Sequence, residues 1–310
     1  MPLDEAGQRA RYAPPMAARP ASVVVPAYNE ADHIGRLLHS LADAADSISL
    51  HVVVVCNGCT DATERIARSF KDVEVVVSDQ ASKHAALNMG DNVAGDAFPR
   101  LYADADVLIE ADSVHRLIEA LSCDQVRAVG PRVVYDLARC PWMVQAYIRT
   151  AERLPFNEFW HSSHLQGRGV YGTNRAGRSR FDRFPALRSD DGFFDLMFDE
   201  GERVVVDDAV VRIACPDTTG ALLRNQTRVI AGYDELIAWM EVHHPERQSV
   251  FLGEQGKGWK DLHLWLHSRF ARELAHGTAA TDAVGYASIE CLSRANSLLR
   301  RTLGRQINWR

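Results

Sequence analysis

Asp104-Ala105-Asp106 sets two carboxylates two residues apart, directly after the apolar run Leu101–Ala103. At a strand-to-loop transition both can reach one polar ligand. A hard divalent cation takes oxygen donors, and one or two carboxylates plus phosphate oxygens are enough to hold it. Asp106 is the expected metal ligand. Asp104 is expected on the ribose side or at a metal-bound water, and as a second ligand. Lys83, in Ser82-Lys83-His84-Ala85-Ala86-Leu87-Asn88, brings a positive charge suited to phosphate or base. Tyr28 follows an apolar strand and can stack on a base, while exposed backbone at Pro26 and Ala27 can bond the base edge. Asn57 can bond a base or a ribose, and unlike a carboxylate it both donates and accepts.

Other chemistry-bearing residues carry less. Cys56-Asn57-Gly58-Cys59 is a C-x-x-C between a strand and a helix start, where a helix N-terminus would lower a thiol pKa. The acidic loop would have no role in redox work, and no second C-x-x-C completes a zinc site. His263 and His267 lie four apart but lack an adjacent Glu. They read as surface or packing residues, as do His161, His164, His243 and His244.

These side chains need a scaffold. Ser22–Pro26 and His51–Val55 are short, continuous and β-branched, the signature of buried parallel strands, and Val73–Val77 reads as a third strand. Leu101–Ala103 and Val126–Gly130 extend the series. Helical patterns lie between them. Asn29 is the expected cap of the first helix, with Asp32 in its first turn and Ile34, Leu37, Leu38 and Leu41 on one face. Further helices are expected from Asp61, over Lys83–Ala94 and over Ser113–Leu121. Strand-helix alternation predicts a parallel sheet covered on both faces, with ligands at the carboxyl ends of its strands. Pro141–Leu154 reads as helix, His161–Arg183 as loop, Arg203–Cys215 as strand, and the chain from about Asp217 as helix. The stripes Trp259, Leu262, Leu266, Phe270, Leu274 and Val284, Ala287, Cys291, Ala295, Leu298 read first as helix packing, then as a dimer or membrane-surface face.

The 310 residues, net charge near −6, give no bulk attraction to nucleic acid. Six scattered cysteines suit a reduced, cytoplasmic setting. The arm 1–20 lacks the apolar core of a signal peptide, and no run is long and apolar enough to span a bilayer.

In this order and spacing, Pro26-Ala27-Tyr28-Asn29-Glu30, Cys56-Asn57-Gly58-Cys59-Thr60-Asp61, Ser82–Asn88 and the Asp-x-Asp resemble the nucleotide-binding half of family 2 glycosyltransferases. The resemblance covers roughly Ser22 to Ile109, with weaker echoes to about Gly232. It implies a GT-A-type α/β fold: a mixed, mostly parallel sheet flanked by helices, with a C-terminal helical extension. The expected organisation is a nucleotide-sugar-binding half over 21–130, an acceptor and catalytic half over 131–232, and the extension over 233–310. The implied activity is a hexosyltransferase-like enzyme that moves a sugar from a nucleotide diphosphate to an acceptor hydroxyl with inversion, helped by Mg²⁺ or Mn²⁺. Pro26, Ala27, Tyr28, Glu30, Asn57, Lys83 and Asp104 would bind the donor. Asp191, with Asp190 as second choice, would be the base, although acids before Gly192-Phe193-Phe194 also suit a helix start. Arg224 and Arg228, four apart on one helical face, would meet the diphosphate. No Trp follows them as in Q-x-x-R-W, which argues against a processive polysaccharide synthase.

The chain departs from the family pattern at Cys56-Asn57, where two acids are usual. A UDP-sugar is the expected donor, with guanine and thymine nucleotides as alternatives. The acceptor is unassigned. A nucleotidyltransferase acting on sugar phosphates would want a basic Gly-rich loop after the first strand, which this chain lacks. A catalytically silent nucleotide-binding module is the other rival.

Overall fold

The computed structural model describes residues 20–153, 162–246 and 280–302. The N-terminal arm, the Trp259–Leu274 stripe, and His161, His263 and His267 lie outside the described residues.

The uninterrupted β-branched runs Ser22–Pro26 and His51–Val55 become interior strands, because a strand covered on both faces has no solvent side to keep polar, whereas the third run, broken by Glu74 and with no buried residue, forms the edge of the sheet. β1 (Ala21–Ala27), β2 (Leu50–Asn57) and β3 (Val73–Ser78) are parallel neighbours. β4 (Arg100–Ala103) pairs in parallel with β1. With β5 (Leu108–Ile109), β6 (Ala128–Asp136), β7 (Val170–Thr173) and β8 (Arg203–Ala214) they form an eight-stranded sheet, ordered β3-β2-β1-β4-β7-β6-β8-β5. β7 runs antiparallel to both β4 and β6, and β5 antiparallel to β8. The sheet is thus mixed and mostly parallel, as expected.

Alternate residues of β1 feed two cores. Val23 and Val25 face α1 (Ile34–Ala45), which buries Ile34, Leu37, Leu38 and Leu41, and α4 (Ala111–Ala120), which adds Val114 and Leu117. Each such leucine contributes roughly 1.5–3 kcal/mol by leaving water. Val24 faces α3 (Lys83–Ala94), where Gly90 lets the helix approach closely. A methyl there would lie 2.2 Å from a Val24 methyl. The second core continues through Tyr102, Tyr171, Phe184, Phe193, Phe194, Leu236 and Met240. It joins α7 (Asp190–Leu196) to the long helix α8 (Thr219–His243). α2 (Thr63–Ala67), α5 (Trp142–Arg153), α6 (Arg175–Arg178) and α9 (Ala280–Thr302) complete the described helices.

Four expectations change. Asn29 does not cap α1: His33 holds that position, and Asn29 sits in the left-handed region at φ 54. The stretch 161–183 is not only loop, since it supplies β7 in the middle of the sheet and α6. The boundary at 232 falls inside α8, which runs unbroken from Thr219 to His243. The stripe Val284, Ala287, Cys291, Ala295, Leu298 does not pack inward; Ala287 is half-buried and the other four residues are exposed.

Candidate active site

The carboxyl ends of β1, β2 and β4 meet at one rim, and short polar bonds lace their loops together. Asn29 accepts the Thr60 amide at 2.8 Å, Asp61 accepts the Ala31 amide at 3.1 Å, and the Thr63 hydroxyl accepts the Glu30 amide at 2.7 Å. The bonds from the Thr63 hydroxyl and the Thr63 and Ala31 amides outweigh desolvation and hold the Asp61 carboxyl below its usual range. This lacing fixes the loop that carries half-buried Tyr28 beside the end of β2. Pro26 and Ala27 are buried in the strand rather than exposed, and the Ala27 carbonyl accepts the Cys59 thiol at 3.2 Å. Asn57 is fully buried, and neither its Oδ1 nor its Nδ2 has a hydrogen-bond partner among the described residues. Burial and the adjacent Cys59 push the Cys56 thiol up to about 12, opposite to what a redox pair requires.

Asp104 directly follows β4 and is half-buried. Because β7 runs antiparallel to β4, Val170 pairs with Ala103 and the segment before β7 arrives at the same rim. The Asp104 amide donates to the Gly169 carbonyl at 2.8 Å. Ser82 caps α3, and the next residue, Lys83, reaches across this rim. Its Nζ stands 2.7 Å from Asp104 Oδ1 and 3.0 Å from Asp190 Oδ1. Burial alone would lower the Lys83 pKa, but Asp104, Asp190 and Asp191 more than offset it and raise it. Lys83 is therefore a cation at any working pH.

Asp190 and Asp191 open α7 but face different surroundings. Asp190 is 4% exposed, and the Tyr171 hydroxyl donates to its Oδ2 at 2.8 Å. Burial pushes its carboxyl up and Lys83 pulls it back, leaving it at about 6. Asp191 is half-buried. Its Oδ2 accepts the Gly167 amide at 2.7 Å, and its Oδ1 accepts the Gly192 amide at 2.8 Å and the Ser189 hydroxyl at 3.2 Å. Gly167 presents its amide from φ 74, a backbone state that costs other residues strain. Asp106 is exposed at the rim, yet desolvation by the surrounding loop and the Asp104 charge push its carboxyl up.

Lys83, Asp104 and Asp190 are thus in direct contact, with Asp191 beside Asp190 and Asp106 two residues beyond Asp104. Arg224 and Arg228 lie on α8, which meets the start of α7 through Gly232 and Leu236, so Arg228 is one turn from that contact and exposed Arg224 two turns. Tyr171 and Gly167 are further site residues that sequence reasoning did not single out. The Gly167-Arg168-Gly169 spacing was the readable trace of a special backbone, whereas Tyr171 carried no local signal.

Residues 22–183 match the sequence profile described as Glycosyl transferase family 2. The chain belongs to that family. Among curated relatives, Glycosyltransferase AglE of Haloferax volcanii is 31% identical over 120 residues, 37% of this chain and 39% of that protein. The 4,4'-diaponeurosporenoate glycosyltransferase of Staphylococcus aureus is 33% identical over 104 residues, 31% of this chain and 27% of that protein. The chain therefore matches well under half the length of these relatives. Among solved structures, the mannosyltransferase PcManGT from Pyrobaculum calidifontis, in complex with GDP-Man and Mn²⁺, superposes with a TM-score of 0.59 at 18% identity, covering 92% of this chain and 88% of that one. TarS of S. aureus with UDP-GlcNAc gives 0.50 at 15% identity, covering 93% of each chain. At these identities the likeness is one of fold, and the fold is GT-A.

Proposed function

We propose that this family 2 chain transfers a sugar from a nucleotide-diphosphate donor to an acceptor hydroxyl, with inversion at the anomeric carbon. The observation that carries the proposal is the contact of Lys83 with both Asp104 and Asp190, which joins the donor rim to the start of α7. Asn57 supports a nucleotide at the rim, because a buried amide without partners is costly unless a ligand or water completes it. Its amide suits uracil first, and guanine or thymine as alternatives. Tyr28 offers the stacking face.

Asp106 and Asp104 fit a divalent cation. Among the described residues no group of three or more His, Cys, Asp and Glu is close enough to hold one, so the protein offers these two carboxylates and donor phosphate oxygens would complete the shell. The crowding that raises the Asp106 carboxyl is what a cation would relieve. The neighbour with GDP-Man was solved with Mn²⁺, and Mn²⁺ or Mg²⁺ is the proposed ion. When bound it would supply charge neutralisation on the leaving diphosphate.

This chain's own residues do the rest. Asp191, which is only half-buried, takes the proton of the attacking hydroxyl, and the Gly167 and Gly192 amides hold its carboxylate in place. Asp190 is a positioning residue: it anchors Lys83 and the first turn of α7. Lys83, with Arg228 and Arg224 from α8, adds positive charge toward the departing diphosphate.

The test is release of nucleoside diphosphate from UDP- and GDP-sugars with Mn²⁺. Asp106→Ala is expected to abolish metal-dependent turnover, and full activity in that variant would refute the assignment. Calorimetry with UDP and Mn²⁺ in the same protein separates a silent binding module, which would bind without turnover. Diphosphate formation from sugar phosphate and nucleoside triphosphate would instead identify a nucleotidyltransferase.

A further inference from the structure

Helix α9 buries polar as well as apolar residues against α5 and α8. Asp282, Ile289, Glu290, Ser293 and Ser297 are buried. The Arg149 guanidinium donates to Asp282 from Nε at 2.9 Å and Nη2 at 3.1 Å, and the Tyr147 hydroxyl donates to Glu290 at 2.8 Å. Asn296 donates to Thr227 of α8 at 3.2 Å. These polar bonds flank a small apolar contact in which Ile289 packs with Val144, Tyr147, Ile148 and Leu222 and the Tyr286 ring stacks on Tyr147, and together they fix the helix on α5 and α8.

The opposite face is apolar. Val284, Leu292, Leu298 and Leu299 are each more than half exposed, and Cys291 and Ala295 lie between them. Among the described residues from Thr281 to Thr302, none of the exposed ones is charged. At 1.5 Å per residue the exposed apolar stretch from Val284 to Leu299 is about 23 Å long. Trp142 of α5, also more than half exposed, extends it sideways: its ring lies 3.8 Å from a methyl built on Gly285. A soluble helix normally shows the reverse pattern, and a contiguous exposed apolar patch of this length marks a contact surface.

Charge selects the contact. Arg294 is paired with Glu290 at 3.3 Å, but from Leu298 to Arg310 the sequence has four further arginines and no Asp or Glu, in a chain whose net charge is −6. Pairing two copies through this face would gather both arginine sets with no carboxylate between them. An anionic lipid surface offers the apolar layer and the countercharge together. No helix among the described residues is long and apolar enough to cross a bilayer. We infer that the face formed by α9 and Trp142 docks on an anionic membrane surface, with α9 lying in the interface.

The test uses the full chain and sedimentation with vesicles. Binding to vesicles of mixed phosphatidylglycerol and phosphatidylcholine is expected, with weak binding to pure phosphatidylcholine and a decline as salt rises. Leu292→Asp with Leu298→Asp should weaken partitioning by about a hundred-fold, since two leucines lose their burial. The melting temperature should not change. Arg300→Gln with Arg301→Gln should weaken binding to anionic vesicles only, and carries the test if the leucine variant misfolds. Absence of vesicle binding overturns the inference, as does equal binding to both lipids that the arginine variant leaves unchanged. A concentration-dependent dimer abolished by the leucine variant would give the face to a second copy and overturn it too.

Discussion

Lys83→Met removes the cation that Asp104 and Asp190 share. Methionine keeps most of the side-chain volume, so the loss is chiefly electrostatic. Removing one partner of a buried ion pair costs about 3–5 kcal/mol. The lower end applies here, because Asp104 is 37% exposed in its side chain and partly screened, and Asp190 keeps its bond from Tyr171. About 3 kcal/mol is expected at pH 7.5. The loss must depend on pH. Asp190 sits at about 6 with Lys83 present, against an ordinary 3.8, and without Lys83 it rises further. An acid raised in the folded state binds more protons folded than unfolded, so its contribution to stability is present at low pH and is lost as pH rises through the folded value. In the variant that loss continues above pH 6, whereas in the parent it is complete near there. At pH 5 Asp190 is largely protonated in both proteins, and only the Asp104 contact separates them. The gap should therefore narrow from about 3 to about 1 kcal/mol. Urea unfolding at the two pH values measures it. In a double-mutant cycle at pH 7.5, Asp190→Asn should recover more than half of the loss, because the two side chains touch. Equal losses at both pH values, or strictly additive substitutions, would refute this account of the site.

Two further outcomes follow from the geometry. Asp191→Asn should lower kcat by roughly 10²–10⁴-fold while the affinity for UDP with Mn²⁺ stays within about two-fold, measured by turnover and calorimetry; a comparable drop in affinity would remove Asp191 from the base role. Gly90→Ala should destabilise the fold by about 1–3 kcal/mol in urea despite alanine's better helix propensity, because its methyl would meet Val24 at 2.2 Å; a stabilised variant would mean that α3 can shift off β1 freely.

The sequence by itself determined the parallel strands and helices of the N-terminal part of the fold. Runs such as Ser22–Pro26 and His51–Val55 have one stable use, as strands covered on both faces, and Ser82 marks the start of α3 through a bond within its own first turn. Those local rules were enough to set Lys83 and Asp104 on one rim. Only the tertiary structure decided the rest. β7 is four residues, Val170–Thr173, with a glycine among them, and it is a strand because β4 and β6 pair with it on both sides. Asp190 and Asp191 are adjacent and chemically alike. Their surroundings diverge because the phase of α7 turns one toward Lys83 and Tyr171 and the other toward the Gly167 amide. The apolar stripe of α9 was legible, but its direction was not: the polar anchors Arg149 and Tyr147 on α5 turned the opposite face inward. Periodicity defines a face, and only the neighbours in space decide whether that face is covered.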